Sequence, residues 1–150
     1  MEQTLIIVKP DGVQRGLVGE VLARLERRGL KLVGLRLLQI DRALAERHYA
    51  VHKGKGFYEG LVDYITSGPI VVAAIEGPDA IAVVRRVVGA TRSNEAAPGT
   101  IRGDLALTVE RNIIHASDAP ETATFELGLY FQPDQLVSYA RDLDRWVVAT

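Results

Sequence analysis

Four short apolar segments, separated by segments with helical spacing, constrain the fold more than any other feature of this chain. They predict strands at residues 4–8, 30–40, 70–75 and 113–115. The predicted order of elements is β-α-β-α-α-β-α-loop-β-α. Without the added helices this order is βαββαβ, so we predict a ferredoxin-like α/β (α+β) fold. In this fold a four-stranded antiparallel sheet is covered by helices, here with a long loop before the last strand.

Local signals refine these elements. Asp41, Asp79 and Asp118 each precede a predicted helix and are candidate N-caps, and the helix after Asp118 is expected to end near Leu127. The alternation of the second strand slips near Gly34, which predicts a bulge. Residues 89–112 have little periodicity and predict a long loop of the kind that tends to be functional. The aromatic residues of the tail, 129–150, are expected to pack onto the body or a neighbour.

Composition limits the class of protein. A chain of 150 residues favours one domain, 1–150, and 47% apolar with 25% charged residues is ordinary for a globular protein. The absence of cysteine excludes disulfides and thiolate metal sites. The apolar runs are too short to span a bilayer and no signal peptide is evident, so we expect a cytoplasmic protein without a membrane partner. A net charge of −1 argues against a non-specific nucleic-acid coat.

The three histidines differ in their surroundings. His48 falls in a polar helix and His52 in a polar loop, so both are predicted to be surface residues. His115 lies between a predicted strand and a predicted helix, where side chains project into clefts. Glu126, on that helix, is a candidate carboxylate to hold one imidazole nitrogen and leave the other free as a nucleophile. From the residues alone, a core His115 and a solvated Glu126 explain the pattern as well.

Cations suited to phosphate are concentrated in the second half of the chain. Five arginines fall between Arg85 and Arg111, and arginine recognises phosphate better than lysine does. Phosphoryl transfer depends on several fixed cations and hydroxyls around one phosphorus atom. The candidates are Lys9, Arg85, Arg86, Arg92 and Arg102, with Thr91 beside Arg92. Each alone fits a surface ion pair as well. The P-loop and dinucleotide-binding motifs are both absent, and no metal cluster is visible, so any Mg²⁺ is expected to arrive with substrate phosphates.

Four separated segments then resemble one family. Residues 112–118, Asn-Ile-Ile-His-Ala-Ser-Asp, resemble the active-site signature of nucleoside diphosphate kinases. Residues 4–13, 67–69 and 98–104 also resemble segments of this family, in the same order. The resemblance covers nearly the whole chain.

The resemblance implies a set of roles. His115 matches the histidine that is phosphorylated during turnover. Glu126 and Ser117 match residues that orient it, and Asp118 matches an acidic residue near the substrate and Mg²⁺. The remaining matches concern the nucleotide: Lys9 and Asn112 near the ribose 3′-hydroxyl and the transferred phosphate; Tyr49, Arg85, Thr91 and Arg102 on the phosphates; Phe57 and Val109 on either side of the base.

The family's reaction is implied as well. ATP or another nucleoside triphosphate gives its γ-phosphate to the histidine, and a nucleoside diphosphate then takes it, by a ping-pong mechanism with little base specificity. The resemblance also implies dimers assembled into a hexamer or a tetramer, of which we expect the hexamer. The chain departs from the family at Arg92-Ser93, where Asn-Pro is common, and at Tyr130, where Trp is common.

Two other classes of function fit parts of the pattern. A binding module could use the sheet for nucleic acid or a protein partner, which is possible but not indicated, because near-neutral charge and few strand aromatics disfavour an RNA-binding sheet. A histidine phosphocarrier would keep His115 but would not need a base sandwich. Phe57 with Val109 favours nucleotides.

Overall fold

The computed structural model describes residues 1–149; Thr150, the end of the predicted tail, lies outside them. The strands are β1 (Glu2–Val8), β2 (Lys31–Leu38), β3 (Ile70–Gly77) and β4 (Ile114–Ala116). The helices are α1 (Pro10–Gln14), α2 (Val18–Arg27), α3 (Arg42–His48), α4 (Tyr58–Ile65), α5 (Ala80–Val88), α6 (Ile101–Leu105), α7 (Pro120–Tyr130) and α8 (Asp144–Val147). Short 3₁₀ turns lie at Ala50–His52, Ser93–Glu95 and Pro133–Gln135.

The sheet has four strands in the order β2-β3-β1-β4, and every neighbouring pair is antiparallel. This topology confirms the predicted ferredoxin-like fold. Because β4 lies beside β1, the end of β1 meets the start of β4. The backbone N–H of Lys9 donates to the carbonyl oxygen of Ile113 at 2.8 Å. Residues that are far apart in sequence therefore converge at this end of the sheet.

Helices cover both faces of the sheet, and β1 contributes to both cores. Leu5 and Ile7 lie in a core that includes residues of α3, α4 and α7. Ile6 and Val8 lie in the other core, with residues of α2, α5 and α6. The alternation follows from the two-residue period of a strand.

Two local predictions are confirmed. The register of β2 against β3 shifts between Leu32 and Gly34, as expected for a bulge. Glycine is needed there because a Cβ at position 34 would lie 2.9 Å from the Phe131 ring. The Asp41 side chain accepts a hydrogen bond from the backbone N–H of Leu44 at 2.8 Å and caps α3.

The other two capping predictions are wrong. Asp79 has left-handed backbone geometry (φ 50°) and makes no side-chain cap. Instead, Glu2 from β1 accepts the backbone N–H of Ile81 at 2.8 Å, so the first turn of α5 is capped from elsewhere in the chain. Asp118 is not the N-cap of α7, because Pro120 takes the first helical position and places Ala119 at the cap.

Three boundaries also differ from prediction. The predicted loop 89–112 contains α6 and a 3₁₀ turn, both too short to produce a visible periodicity. Thr100 caps α6 by accepting the backbone N–H of Gly103 at 2.9 Å. The last strand begins one residue late, because Ile113 has a positive φ of 73°. Helix α7 runs on past Leu127 to Tyr130.

The tail packs only in part. Tyr130 and Phe131 are buried, and the hydroxyl of Tyr139 donates to the carbonyl oxygen of Leu32 at 2.6 Å. Trp146 stays 78% exposed. No helix within residues 1–149 is long and apolar enough to cross a membrane.

Candidate active site

The short strand β4 fixes His115. In the antiparallel ladder His115 is paired with Ile7 of β1. Directly opposed residues point to the same face of a sheet, so His115 projects toward the α3–α4–α7 side, where Ile7 lies in the core. Its side chain keeps 23% of its surface exposed, enough for a substrate to reach it.

Glu126 of α7 holds one side of the His115 ring. His115 Nε2 lies 2.8 Å from Glu126 Oε1, and the Ser117 hydroxyl donates to the same oxygen at 2.5 Å. Burial pushes the pKa of Glu126 upward, but the hydrogen bond and the charge of His115 outweigh it and leave that pKa lowered. Glu126 is therefore a carboxylate, which requires the proton on Nε2.

Nδ1 of His115 is consequently the free nitrogen. No group within residues 1–149 makes a hydrogen bond to it, and a neutral imidazole with its proton on Nε2 has its lone pair on Nδ1. The expected contact between the His115 ring and the Glu126 carboxylate is therefore present, in the geometry that a nucleophile and its orienting carboxylate require.

The prediction that His48 is a surface residue is wrong. Its side chain is 2% exposed, and its ring centroid lies 4.9 Å from that of His115. His48 Nε2 lies 3.5 Å from Glu126 Oε2, and its Nδ1 lies 3.1 Å from the Tyr130 hydroxyl. The signal was present in the sequence, because His48 follows Leu44 and Ala45 at helical spacing and so shares their inward face. His52, which was also predicted at the surface, is half-buried.

Lys9 and Asn112 meet where β1 ends and β4 is about to begin. Lys9 Nζ donates to Asn112 Oδ1 at 2.9 Å. Burial, reinforced by repulsion from Arg102, lowers the pKa of Lys9 to about 8, although Asp11 opposes the shift. Near neutral pH Lys9 is still protonated, but burial and the nearby Arg102 destabilise its positive charge.

Arg102 and Arg85 approach β4 from the other face. Arg102 is 5% exposed, and its guanidinium donates to the carbonyl oxygens of Ile114 at 2.5 Å, Gly89 at 3.2 Å and Asn112 at 3.3 Å. Arg85 donates to the carbonyl oxygen of Ala116 at 3.0 Å. Burial, then repulsion from Arg85, lowers the pKa of Arg102 to about 10.

These cations have no anionic partner. Within the described 149 residues, Lys9, Arg85 and Arg102 form no ion pair. Lys9 and Arg102 repel each other, as do Arg102 and Arg85, and this repulsion is relieved when an anion binds among them. The geometry therefore supplies a cluster of positive charge around β4, the strand that carries His115.

The remaining predicted residues border this centre. Tyr49 is buried, its ring centroid lies 4.7 Å from that of His48, and burial, then the charge of Glu126, raises its pKa to about 12. Thr91 and Asp118 are exposed and Val109 is half-buried. Phe57 is 53% exposed at the start of α4. Within residues 1–149, none of these last four forms a hydrogen bond or an ion pair with His115 or Glu126.

An open cavity of about 590 Å³ lies beside Phe57. Phe57, Tyr64, Glu110 and Arg111 are among its lining residues. The Arg111 guanidinium lies over the Tyr64 ring, 4.2 Å from its centroid. Phe57 and the segment that follows Val109 therefore border one space.

Asp11 and Tyr64 were not predicted as site residues. The Tyr64 hydroxyl donates to Asp11 Oδ1, and Asp11 Oδ2 accepts the backbone N–H of Ile113 at 3.1 Å. Ile113 is buried with a φ of 73°, a region that a β-branched residue rarely adopts. The pair thus secures the strained link between Asn112 and His115. In the sequence, the one signal for this role is the acidic residue within the turn Lys9-Pro10-Asp11-Gly12.

Comparison with known proteins identifies the family. The family model described as nucleoside diphosphate kinase matches residues 2–136. The chain belongs to the nucleoside diphosphate kinase family. The nucleoside diphosphate kinase of Thermomicrobium roseum is 63% identical over 148 residues, 99% of each chain. That of Archaeoglobus fulgidus is 56% identical over 147 residues, 98% of this chain and 97% of its own.

Solved structures of nucleoside diphosphate kinases agree with the fold. A family member from Babesia bovis superposes with a TM-score of 0.96 at 45% identity, covering 99% of this chain and all (100%) of its own. A halophilic nucleoside diphosphate kinase from Halobacterium salinarum, in complex with CDP, gives a TM-score of 0.95 at 48% identity over 98% of each chain. The activity is therefore nucleoside diphosphate kinase activity, a phosphotransfer between nucleotides.

Proposed function

We propose that His115 carries the phosphoryl group during nucleoside diphosphate kinase turnover, through its Nδ1 atom. One observation carries this proposal: Nε2 is held by Glu126 at 2.8 Å, which leaves Nδ1 without a hydrogen-bond partner among residues 1–149. In the first half-reaction the Nδ1 lone pair attacks the γ-phosphorus of a nucleoside triphosphate. The N–P bond forms, the bond from phosphorus to the β–γ bridging oxygen breaks, and its electron pair leaves on the diphosphate. The second half-reaction is the reverse, with a different diphosphate.

Glu126 and Ser117 keep the imidazole in position through both halves. The carboxylate also stabilises the positive charge that develops on the ring as Nδ1 bonds to phosphorus. Because the reaction is reversible, the groups that position the imidazole must hold both its free and its phosphorylated forms. A buried carboxylate that two donors already share meets this requirement.

The cations hold the phosphate tail. We assign Lys9 and Asn112 to the ribose 3′-hydroxyl and the transferred phosphoryl group. The phosphate-binding set is Tyr49, Arg85, Thr91 and Arg102. The three guanidinium nitrogens of Arg102 each bond one carbonyl, and two N–H groups on its terminal nitrogens remain for phosphate oxygens. Preorganised donors of this kind stabilise transition-state charge without reorganisation.

Phe57 and Val109 are assigned to the two faces of the base. A base held by stacking is recognised by its face and not by its hydrogen-bonding edge, so any base is accepted. The relative from Halobacterium salinarum was solved with CDP, a pyrimidine nucleotide. Comparable kcat/KM values for purine and pyrimidine diphosphates are expected, and strong rejection of pyrimidines would contradict the assignment.

Mg²⁺ is assigned to the substrate and not to a cage built by the protein. Asp118 is exposed and offers hard oxygen donors, whereas Glu126 is committed to His115 and Ser117. The cluster of His48, His115 and Glu126 presents two nitrogens and suits softer metals better. The donor set thus fits Mg²⁺ that arrives on phosphate oxygens, with Asp118 nearby. When bound, the ion neutralises charge on the β- and γ-phosphates.

We further propose that residues 1–150 act as one domain, that the protein is cytoplasmic, where its nucleotide substrates occur, and that it forms a homo-oligomer of dimers, a hexamer or a tetramer. Support for assembly comes from β2, an edge strand on which Leu35 and Leu37 are 50% and 69% exposed. Unpaired strand edges with apolar side chains favour association. Light scattering gives the mass of the assembly, and a monomer would refute this part.

Labelling with γ-³²P-ATP tests the central proposal. The enzyme is expected to acquire acid-labile, base-stable label at His115, which ADP or CDP removes as the triphosphate. Label that passes to a protein but not to any nucleotide would indicate a phosphocarrier. Absence of label at His115 would overturn the proposed covalent role of this residue.

A further inference from the structure

Glu126 has two oxygens, and the mechanism above uses only one of them. Oε1 bonds His115 and Ser117, whereas Oε2 faces His48 Nε2 at 3.5 Å. Behind His48, the Tyr130 hydroxyl lies 3.1 Å from Nδ1. The side chains of His48 and Glu126 are 2% and 5% exposed, and Tyr130 is 1% exposed, so this line of groups is closed to solvent.

The protonation states of Tyr130, His48 and Glu126 decide which of these groups donates a proton to which. Burial, then the charge of His115, lowers the pKa of His48 to about 3, so its ring is neutral when the enzyme works. Burial raises the pKa of the Tyr130 hydroxyl, which therefore keeps its proton. A neutral imidazole has one N–H and one lone pair. If Tyr130 donates to Nδ1, the proton of His48 lies on Nε2, the ring nitrogen that is 3.5 Å from Glu126 Oε2.

The opposite tautomer is disfavoured on both sides of the ring. It would place the Nε2 lone pair against the negatively charged Oε2 of Glu126. It would also leave the Tyr130 proton without an acceptor among the described residues, because the hydroxyl has no other hydrogen-bond partner there. A buried donor without a partner costs more free energy than the hydrogen bond itself contributes.

We infer that His48, with its tautomer set by Tyr130, is a positioning residue that fixes the second oxygen of Glu126 and thereby the orientation of the His115 ring. The inference rests on the proposed role of His115. His48 touches neither phosphate nor metal in this scheme. Its ring also lies edge-on to the His115 ring, 4.9 Å between centroids, but the effect proposed here passes through Glu126.

A purely packing role for His48 predicts something different. A packing residue is replaced best by an apolar side chain of similar size, and its ring tautomer is irrelevant. A positioning residue is replaced best by a side chain that still donates to Oε2, whatever its packing. Tyr130→Phe removes only a hydroxyl and keeps the ring in the core, so it separates the two roles without creating a large cavity.

The test measures formation of phosphohistidine by rapid quench over a range of γ-³²P-ATP concentrations. His48→Leu is expected to slow the maximal rate about tenfold, as for loss of an orienting partner, with half-saturation within about twofold of the unchanged protein. His48→Gln, whose amide can still donate, is expected to recover most of the rate. Tyr130→Phe is expected to slow it about threefold, the effect of one neutral hydrogen bond. Tyr139→Phe, which removes a surface hydroxyl, is the matched control and changes nothing.

Imidazole ¹⁵N spectra give the second measurement. The unchanged protein is expected to have His48 as the Nε2–H tautomer, and Tyr130→Phe to populate the other. An Nδ1–H tautomer in the unchanged protein, or an unaltered maximal rate in both His48→Leu and Tyr130→Phe, would overturn the inference while leaving labelling of His115 intact. Failure of the unchanged protein to label His115 at all would instead overturn the proposed function.

Discussion

The two halves of this site differ in how many of their polar and charged groups find a partner within the protein itself. The histidine side consists of His115, Glu126, Ser117, His48 and Tyr130, and every member has a partner from within the chain. The cationic side consists of Lys9, Arg85 and Arg102, which form no ion pair within residues 1–149. The contacts of the histidine side are complete before substrate binds, whereas the cationic side gains its ion pairs from the substrate phosphates.

This difference separates positioning from recognition. A nucleophile must be held still whether or not substrate is present, so its partners are internal and buried. A phosphate site must bind a triphosphate and release a diphosphate in each half-reaction, so its charges must stay available. Substitutions on the histidine side should therefore change the rate of transfer, whereas those on the cationic side should change binding as well.

His115→Ala should separate the rate of transfer from nucleotide binding more clearly than any other substitution. Transfer is expected to fall roughly ten-thousand-fold or more, the order seen when an enzyme loses its nucleophile. Binding of ADP, measured by calorimetry, should stay within about twofold because no member of the cationic side is altered. Retention of substantial transfer would eliminate the covalent mechanism.

Arg102→Met should damage both binding and the fold. Loss of one preorganised donor removes about 2–4 kcal/mol of transition-state stabilisation. The carbonyl oxygens of Gly89, Asn112 and Ile114 also lose their donor, so the free energy of unfolding should drop by about 1–3 kcal/mol in urea titrations. Arg85→Met is the control, since Arg85 is exposed and donates to only one carbonyl, that of Ala116, and its unfolding free energy should change by about 1 kcal/mol or less. Equal loss of stability in both variants would contradict this account.

Glu126→Gln tests the histidine side alone. The amide keeps the shape but loses the charge, and its NH₂ group can turn toward His115 and favour the wrong tautomer. We expect the rate of phosphohistidine formation to drop about 100-fold, with the affinity for ADP retained. Weakened ADP binding at an unchanged rate would mean that the two sides are not separable.

Only the cationic side should respond to mild alkali, through Lys9. With a pKa of about 8, Lys9 loses its charge as the pH rises through that value, and kcat/KM should then decline about tenfold per pH unit. Stability should move the other way: the folded pKa lies below the ordinary 10.5, so between these values the unfolded chain binds more protons and folding is favoured as pH rises. Lys9→Met removes both responses, and an alkaline limb that persists in this variant would exclude Lys9 as its source.

The strands and most helices were predictable because their cores impose a regular spacing on apolar residues. The bulge near Gly34 and the Asp41 cap were predictable from local signals, a break in the strand alternation and a capping residue before a helix. Helix α6 was not, because five residues are too few for a helical period to emerge. Asp79 was mistaken for a cap because its competitor, Glu2, comes from a distant part of the chain.

The predicted site residues came mostly from the family resemblance, and the structure explains what spacing alone could not supply. His48 and His115 are far apart in sequence, and they meet at Glu126 because α3 and β4 both lie against α7. Likewise the Asp11–Tyr64 pair depends on α4 reaching the end of β1. Contacts of this kind follow from tertiary structure, which a single sequence specifies only indirectly.

The capping of α5 by Glu2 has a practical consequence for anyone who handles this protein. Arg85 lies on that helix, and the carboxylate that secures the first turn sits at the second position of the chain. Affinity tags and leader sequences are routinely fused at this end. A fusion that displaces Glu2 would loosen a helix of the phosphate site from the far side of the molecule, so kinetic constants should be measured after the tag has been removed.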